Sequence, residues 1–469
     1  MSEQTLKRRD FLSSGVASLG TATLLARPTP ARGANDRVQV AICGVHGRGK
    51  DHLANYAKIP NASIAALCDI DENVLRARLA DMEKMGLPKP ATYTDIRKLL
   101  ENKSIDAISI ATPNHWHTLM AIWACQAGKD VYVEKPCSHN LWEGKQLVKA
   151  AQRYNRVVQH GTQIRSSTAI RDAVQKLRGD AVGQTYMARG LCYKWRDTIG
   201  KAPVEPVPAG VDYDLWTGPA PKHDFTKNRF HYNWHWNWLY GNGDIGNQGV
   251  HQVDVARWGM GLGFPNKVSA MGGHFMFDDD QVTPNDLNCS FEFDMPDGKR
   301  RMITFEVRHW MTNHEAEIGT KLMGTPEPKR STTQAKLGPL AGSHNTVGNI
   351  FYGSKGYLAT GDEDADTYVI WMGRDQEQQP PVQGGSERAH FQNFIDCVAS
   401  RNRADLNAPI EEGHISAGLM HLANASYRLR RTINFNPETQ EAIGDEEASQ
   451  LLRDGDRGYR QPFVVPEDV

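Results

Sequence analysis

The chain has 469 residues, with 54 Lys and Arg against 55 Asp and Glu and a net charge of −1. That length accommodates two domains with a sizeable core, and the charge balance offers no field for nucleic acid or an anionic membrane surface. Seven cysteines, an odd number, show no paired spacing, so free thiols are expected rather than a disulfide framework.

The N-terminus reads Lys7-Arg8-Arg9-Asp10-Phe11-Leu12, followed by a weakly apolar run rich in Gly, Ser, Thr and Ala up to Ala26. Twin arginines before Phe-Leu and a mild apolar stretch resemble a twin-arginine export signal. Residues 1–34 are assigned to it, which implies a periplasmic protein. Ser, Gly and Thr throughout the run argue against a permanent membrane span.

The segment Val38–Cys43 then reads as a buried strand that breaks into Gly44-Val45-His46-Gly47-Arg48-Gly49. Such a strand and Gly-rich turn open a dinucleotide-binding βαβ unit: Gly44 makes the tight turn, and Gly49 lets the next helix pack closely on the sheet. The helix N-terminus then receives the pyrophosphate. His46 stands where the fingerprint has its middle glycine. The next apolar strand, 62–68, ends in Asp69, 25 positions after Gly44. A carboxylate there accepts both ribose hydroxyls of NAD and repels a 2′-phosphate, so NAD is expected over NADP. Strands near 106–111, 130–134 and 157–163 alternate with helices near 118–128 and 141–154, which predicts a parallel sheet covered on both faces.

Ligands collect outside the carboxyl ends of such strands. The polar clusters Thr112-Pro113-Asn114-His115-Trp116-His117, Glu134-Lys135-Pro136 and 159–165 fall there. Gly44, His46, Gly47, Arg48, Gly49, Asp69, Thr112, Pro113, Asn114, His117, Glu134 and Lys135 are therefore expected to hold the cofactor. Trp116, Gln163 and Arg165 are expected to face the substrate. His115 and His117, two apart on a predicted loop with no cysteine pair, do not argue for a metal site. The aromatic block 230–240 precedes the Gly/Asn-rich segment 241–249. Its Trp234, Trp236 and Tyr240 are candidates to stack against sugar C–H faces, although rings are more often core. Tyr193 to Asp197 form a second polar-aromatic cluster, read first as an ordinary amphipathic strand. Helical periodicity over 390–400 and 415–431 places two helices back against the first domain, while the tail after 433 carries little predictable structure.

The Gly-rich loop, the 111–117 cluster, Glu134-Lys135-Pro136, the segment 241–254 and Tyr352-Gly353-Ser354-Lys355-Gly356-Tyr357-Leu358 together resemble the Gfo/Idh/MocA oxidoreductase family. The resemblance covers about residues 37 to 435. It implies an α/β chain with a Rossmann NAD-binding domain over 35–165. A sheet-containing substrate and oligomerisation domain with a large, mostly antiparallel open sheet would follow over 166–435, then a C-terminal tail over 436–469. It also implies that Lys135 is the lysine of the lysine-proline motif and His251 the general acid/base. Histidine titrates near neutral pH, and an ammonium beside the reacting oxygen stabilises alkoxide charge. Asn247 stands where the family commonly has Asp, on the helix face of His251, and is assigned to substrate positioning. Asp244, one turn earlier, is a candidate to replace that charge, and Asp254 to contact substrate.

These readings point to an oxidoreductase that uses NAD on a sugar or glycoside. Export into a compartment without a free NAD pool implies a tightly held cofactor, regenerated within each turnover. An alternative is a redox-neutral glycoside hydrolase that oxidises C3, eliminates the aglycone, adds water and re-reduces. A carbohydrate-binding protein without cofactor is the third reading. A homo-oligomer, dimer or tetramer, is expected from the resemblance alone.

Overall fold

The computed structural model describes residues 37–310, 312–323, 345–361, 366–385, 387–454 and 458–469. The export signal read over 1–34 lies outside them.

The first sheet follows from near-continuous apolar runs: β1 (Val38–Cys43), β2 (Ala62–Cys68), β4 (Ala107–Ile110), β5 (Asp130–Glu134) and β6 (Val158–Gly161), with a short β3 (Ala91–Tyr93) at the edge. Their order is 3-2-1-4-5-6, and every pairing is parallel. Strands buried on both faces require helices on both faces. These include α1 (Arg48–Tyr56), α2 (Glu72–Lys84), α4 (Asn114–Gln126) and α5 (Leu141–Arg153). In this topology the order reverses between β1 and β4, where a crevice opens at the carboxyl ends.

Helix α4 begins at Asn114, earlier than the expected 118. Pro113, extended at φ −60° and ψ 153°, caps it, so His115, Trp116 and His117 occupy its first turn rather than a loop. Beyond β6, a 3-10 turn (Gln163–Ser166) and α6 (Thr168–Arg178) lead into β7 (Thr185–Lys194). That strand is central in a mixed sheet of 11 strands, parallel to β10 (Arg300–His309) and antiparallel to β11 (Thr346–Gly353). The helix α8 (Val250–Met260) and a long helix at Ile410–Leu429 lie between the two sheets. Both carry an almost uninterrupted run of buried residues, as a helix between two layers must. The described part of the tail after 433 adds two short strands and an amphipathic helix at Glu446–Arg453. Its polar composition hid a single apolar stripe, of which Ala448 and Leu452 are the buried members.

All seven cysteines are buried and free. Among the described residues, no helix is long and apolar enough to cross a membrane.

Candidate active site

A cavity of about 410 Å³ lies at the carboxyl ends of β1, β2, β4 and β5. Its floor is the Gly-rich turn. Gly44 has φ +77°, and a Cβ there would sit 2.7 Å from the Ala111 carbonyl oxygen. At Gly49 a Cβ would overlap the Gly44 carbonyl. No side chain caps the N-terminus of α1, so its N–H groups are left for a bound anion. Gly47, by contrast, has nothing within 4 Å of a built Cβ, and the exposed His46 is accommodated because its ring stacks on His231 at 4.1 Å and 20°. The two strict steric demands of a dinucleotide turn are therefore met at Gly44 and Gly49, and the middle position is relaxed. Gly49 itself is buried and does not line the cavity.

Asp69 ends β2 and lines the cavity. It accepts the Val45 N–H at 2.7 Å and the Asp71 N–H at 3.1 Å. Burial pushes its pKa up to about 6 despite those bonds. Each carboxylate oxygen keeps a second lone pair for a ribose hydroxyl. Arg76 bonds to Asn73.

Glu134, expected to hold the cofactor, lines the cavity and is a buried hub of hydrogen bonds. It accepts from Arg48 Nε at 3.0 Å and Gln163 Nε2 at 2.8 Å, and it contacts His52 Nε2 at 3.0 Å. Burial alone would raise its pKa, but Arg48 and His52 override burial and hold it well below the usual carboxylate range. Arg48, which lines the cavity, is thereby paired with Glu134 and Glu387. His117 Nδ1 and Nε2 lie 2.7 Å from the Pro136 and Thr112 carbonyls, to one of which a neutral ring donates, and the ring sits between α4 and the loop carrying Lys135. Burial lowers its pKa.

Lys135 faces the segment that precedes α8. Residues Ile245–Gly249 form a π-helical turn, and the Asn247 carbonyl accepts from Lys135 Nζ at 2.5 Å. Such turns free backbone carbonyls from the helical ladder and recur at functional sites. The Asn247 amide donates to Asp244 Oδ1 at 2.9 Å. Asp244 is clamped by Arg196 at 2.8 and 3.0 Å and by His309 Nε2 at 2.7 Å. Burial opposes ionisation of Asp244, yet Arg196 and His309 hold its pKa well below the usual range. The charge expected at position 247 is thus present one turn earlier, behind the amide.

Several expected contacts are not made. His251 is 2% exposed and does not line the cavity. Gln163 serves Glu134 and Tyr132. Arg165 and Asp254 form a buried bidentate ion pair at 2.7 and 2.8 Å, joined by Glu412 and Ser416. Asp244 also stays behind the wall. Trp236 packs against the Arg196 guanidinium at 5.0 Å, and Tyr240 is fully buried against Trp216. For Gln163, Arg165, Asp244 and Asp254 the physical reason is common: their polar atoms are satisfied by partners inside the protein.

Of the aromatic block, Trp234 lines the cavity, as does Trp116 from α4. His231, Tyr232 and His235 line it as well, together with Leu215, Trp216 and Phe230. His235 is the most informative of these. Its Nδ1 lies 2.5 Å from the Tyr232 carbonyl, which can only accept, so Nδ1 carries the proton and Nε2 the lone pair. Its ring stacks on Trp234 at 3.6 Å. Burial pushes its pKa down to about 3, helped by the charges of Lys135 and Arg196. The wall is fastened to the first domain through Asp212 N–H to the Ile70 carbonyl and Glu72 N–H to the Gly210 carbonyl, both 2.9 Å, and Trp116 Nε1 to the Trp216 carbonyl at 3.0 Å. Nothing in the local sequence marks His231 or His235 apart from their neighbours. Among the described residues, no cluster of three or more His, Cys, Asp or Glu forms a metal-holding group.

A 3-2-1-4-5-6 parallel sheet, a glycine turn built for an anion and a lysine at the facing strand end define a dinucleotide-binding oxidoreductase architecture. Residues 38–162 match the signature described as "Oxidoreductase family, NAD-binding Rossmann fold", and residues 184–269 and 382–463 match the same family's "C-terminal alpha/beta domain". The chain belongs to the Gfo/Idh/MocA oxidoreductase family.

Among curated relatives, a glycosyl hydrolase family 109 protein of Shewanella pealeana is 37% identical over 122 residues, 25% of this chain and 27% of its own length. One from Saccharopolyspora erythraea is 32% identical over 178 residues, 35% of this chain and 38% of its own length. The similarity therefore spans well under half of those relatives. Among solved structures, a levoglucosan dehydrogenase in complex with NADH and levoglucosan superposes with a TM-score of 0.62 at 16% identity, over 85% of this chain and 99% of that one. Aldose-aldose oxidoreductase from Caulobacter crescentus gives 0.58 at 17% identity, over 85% of this chain and 100% of that one. At these identities the structures share the fold.

Proposed function

We propose that the protein is an NAD-dependent oxidoreductase acting on a sugar or glycoside, with the cofactor held through successive turnovers. The observation that carries this reading is the juxtaposition of Lys135 Nζ and the Asn247 carbonyl at 2.5 Å with the glycine turn in one cavity. Gly44, Gly49 and the N-terminus of α1 would hold the pyrophosphate, and Asp69 the ribose. When bound, NAD supplies the acceptor for a hydride from the alcohol carbon. The Lys135 ammonium stabilises charge developing on the alcohol oxygen. His235 Nε2 accepts the hydrogen bond of the substrate hydroxyl, and the departing proton passes to water. Trp116 and Trp234 offer flat faces to sugar C–H groups, and the wall fastened by Asp212 and Trp116 restricts exchange of the cofactor.

The glycosyl hydrolase family 109 relatives support a second reading, in which the same hydride is returned after elimination and hydration. The deciding experiment starts from protein purified without added nucleotide. Near-stoichiometric NAD(H) released on denaturation, with hydride passed between two sugars, supports the oxidoreductase. Aglycone release with no net cofactor change supports the hydrolase. A protein that arrives empty and fails to bind added NAD overturns both. The N-terminal twin-arginine run supports export to the periplasm, tested by cell fractionation with Arg8 and Arg9 replaced by Lys. The resemblance supports a homo-oligomer, tested by light scattering.

A further inference from the structure

The chain from Ala209 to Gly218 is tied to the first domain at two places, and the ties differ in kind. At one, Asp212 N–H donates to the Ile70 carbonyl and Glu72 N–H to the Gly210 carbonyl, both at 2.9 Å. Asn73 Nδ2 adds a bond to the Ala209 carbonyl at 3.0 Å. These bonds sit at the start of α2, just past the end of β2. At the other tie, Trp116 Nε1 in the first turn of α4 donates to the Trp216 carbonyl at 3.0 Å. Gly218 approaches so closely there that a Cβ would sit 2.2 Å from the Trp116 ring. Helix α4 follows β4, and β1 lies between β2 and β4 in the sheet. The segment therefore spans the glycine turn that ends β1, and its Leu215 and Trp216 line the cavity.

The second tie is reinforced by a residue far along the chain. Arg460 Nε donates to the Gly218 carbonyl at 3.0 Å, and its two terminal nitrogens donate to Asp214 Oδ1 at 3.0 Å and the Asp214 carbonyl at 2.7 Å. Its backbone N–H donates to the Pro219 carbonyl at 3.1 Å. The guanidinium lies over the Phe463 ring at 5.0 Å, and Phe463 meets the cavity-lining Trp116 edge-on at 5.3 Å. The Tyr459 hydroxyl, donating to Glu143 of α5 at 2.9 Å, anchors this stretch to the first domain. The two backbone bonds at α2 survive any side-chain substitution. At the α4 end three bonds come from one guanidinium. Its side chain is 23% exposed and that of Asp214 50%, so water competes for the pair.

We propose that residues 209–218 are a strap over the bound cofactor, hinged at α2, and that Arg460 is the latch holding its α4 end shut. The proposal rests on the NAD reading above and assigns cofactor retention to a residue that touches neither cofactor nor substrate. Arg460 is a positioning residue: it holds Asp214 and Gly218 directly, and through Phe463 it backs the ring of Trp116. Passage of the nucleotide in or out requires one partly exposed guanidinium to let go, while both walls stay folded.

The test uses the full chain with its bound NAD. Release is followed by dilution into a coupled enzyme that consumes free NAD, and uptake by mixing the emptied protein with NAD. Arg460→Met should speed release at least about tenfold, the effect of losing one charge-assisted bond. Uptake should quicken with it, because a strap bars the path both ways, so Kd changes less than either rate. Arg460→Lys, which keeps a charge for Asp214 but loses the bond to Gly218, should fall between the wild type and Arg460→Met. Asp214→Asn, at a half-exposed side chain whose change leaves the fold intact, should also speed both steps. Arg453→Met breaks an exposed pair with Glu467 in the same terminal region and should leave both rates unchanged. Unaltered release in Arg460→Met and Asp214→Asn overturns the latch and leaves the NAD reading standing. So does a faster release with a matching rise in Kd, which marks a weakened site, or an equal acceleration by Arg453→Met, which marks general loosening. A chain that arrives without NAD and binds none overturns the NAD reading, and the latch with it.

Discussion

The two walls of the cavity are held by different physics. The wall from the first domain is made of strand ends, and its groups are aimed by backbone. Gly44 is fixed by its left-handed φ, Asp69 by two N–H donors, and Lys135 by its place at the end of β5. The opposite wall has little regular structure. Residues 213–240 contribute one helix of five residues and short 3-10 turns, and the wall is held by ring packing and by hydrogen bonds back to Ile70, Glu72 and Trp116. The first wall is therefore tolerant of side-chain change but intolerant of Cβ atoms at its glycines. The second should respond in the reverse manner.

The largest expected effect breaks the ion cluster behind the second wall. Arg196→Ala leaves Asp244 buried with His309 as its remaining imidazole partner, and removing one member of a buried pair costs about 3–5 kcal/mol. Denaturant unfolding should show that loss, and an unchanged midpoint would mean that the cluster does not fasten the wall. Next in size, Lys135→Met should lower kcat on the order of 10²- to 10³-fold with stability unchanged, the scale of losing one preorganised charge donor. Near-wild-type turnover would remove Lys135 from the chemistry. Gly44→Ala forces an L-residue to φ +77° against the Ala111 carbonyl. It is expected to cost about 1–3 kcal/mol and to weaken NAD binding with it, as calorimetry on the variant would show.

A smaller effect is set by pH. Asp69, pushed up to about 6 by burial, holds its proton more tightly folded than unfolded, where an aspartate titrates near 3.9. Its ionisation therefore lowers folding stability as pH rises from about 4 to about 6. Ribose binding needs the ionised form as acceptor, so NAD retained through gel filtration should fall as pH drops below about 6. Asp69→Asn should flatten that curve, and a flat wild-type curve would show that another group binds the ribose. The smallest effect compares the walls at their point of contact: His46→Gly removes the stack on His231 and is expected to change stability by under about 1 kcal/mol while speeding NAD release. Unaltered release would show that the stack does not hold the wall closed.

Legibility followed the same division. Strands 38–43 and 62–68, the glycine turn, Asp69 and Lys135 could be read because each depends on residues adjacent in sequence. The first turn of α4 was misread as a loop, since the Thr-Pro-Asn cluster carries a turn composition while Pro113 in fact caps a helix. Arg165 read as a site residue from its place in the strand-end cluster 159–165 and Asp254 from its place in the segment 241–254, and only their mutual contact shows them to be a buried pair. His235 was indistinguishable from its neighbours until the Tyr232 carbonyl fixed its tautomer and the fold turned it toward Lys135.

By itself, then, the sequence determined the parallel sheet, the anion-binding turn and the lysine-bearing strand end. Apolar periodicity and the steric needs of glycine act over a few residues and leave their mark locally. Tertiary structure alone decided which histidine faces the cavity and that Glu134 is occupied by Arg48. It also decided that Asn247 stands in front of Asp244, and that Lys194 meets an amide rather than an acid. The contacts of Lys135, Lys194, Arg196 and Arg48 join partners 48 to 112 positions apart in the chain, and a side chain's charge or ring acquires its role from whatever the fold brings against it.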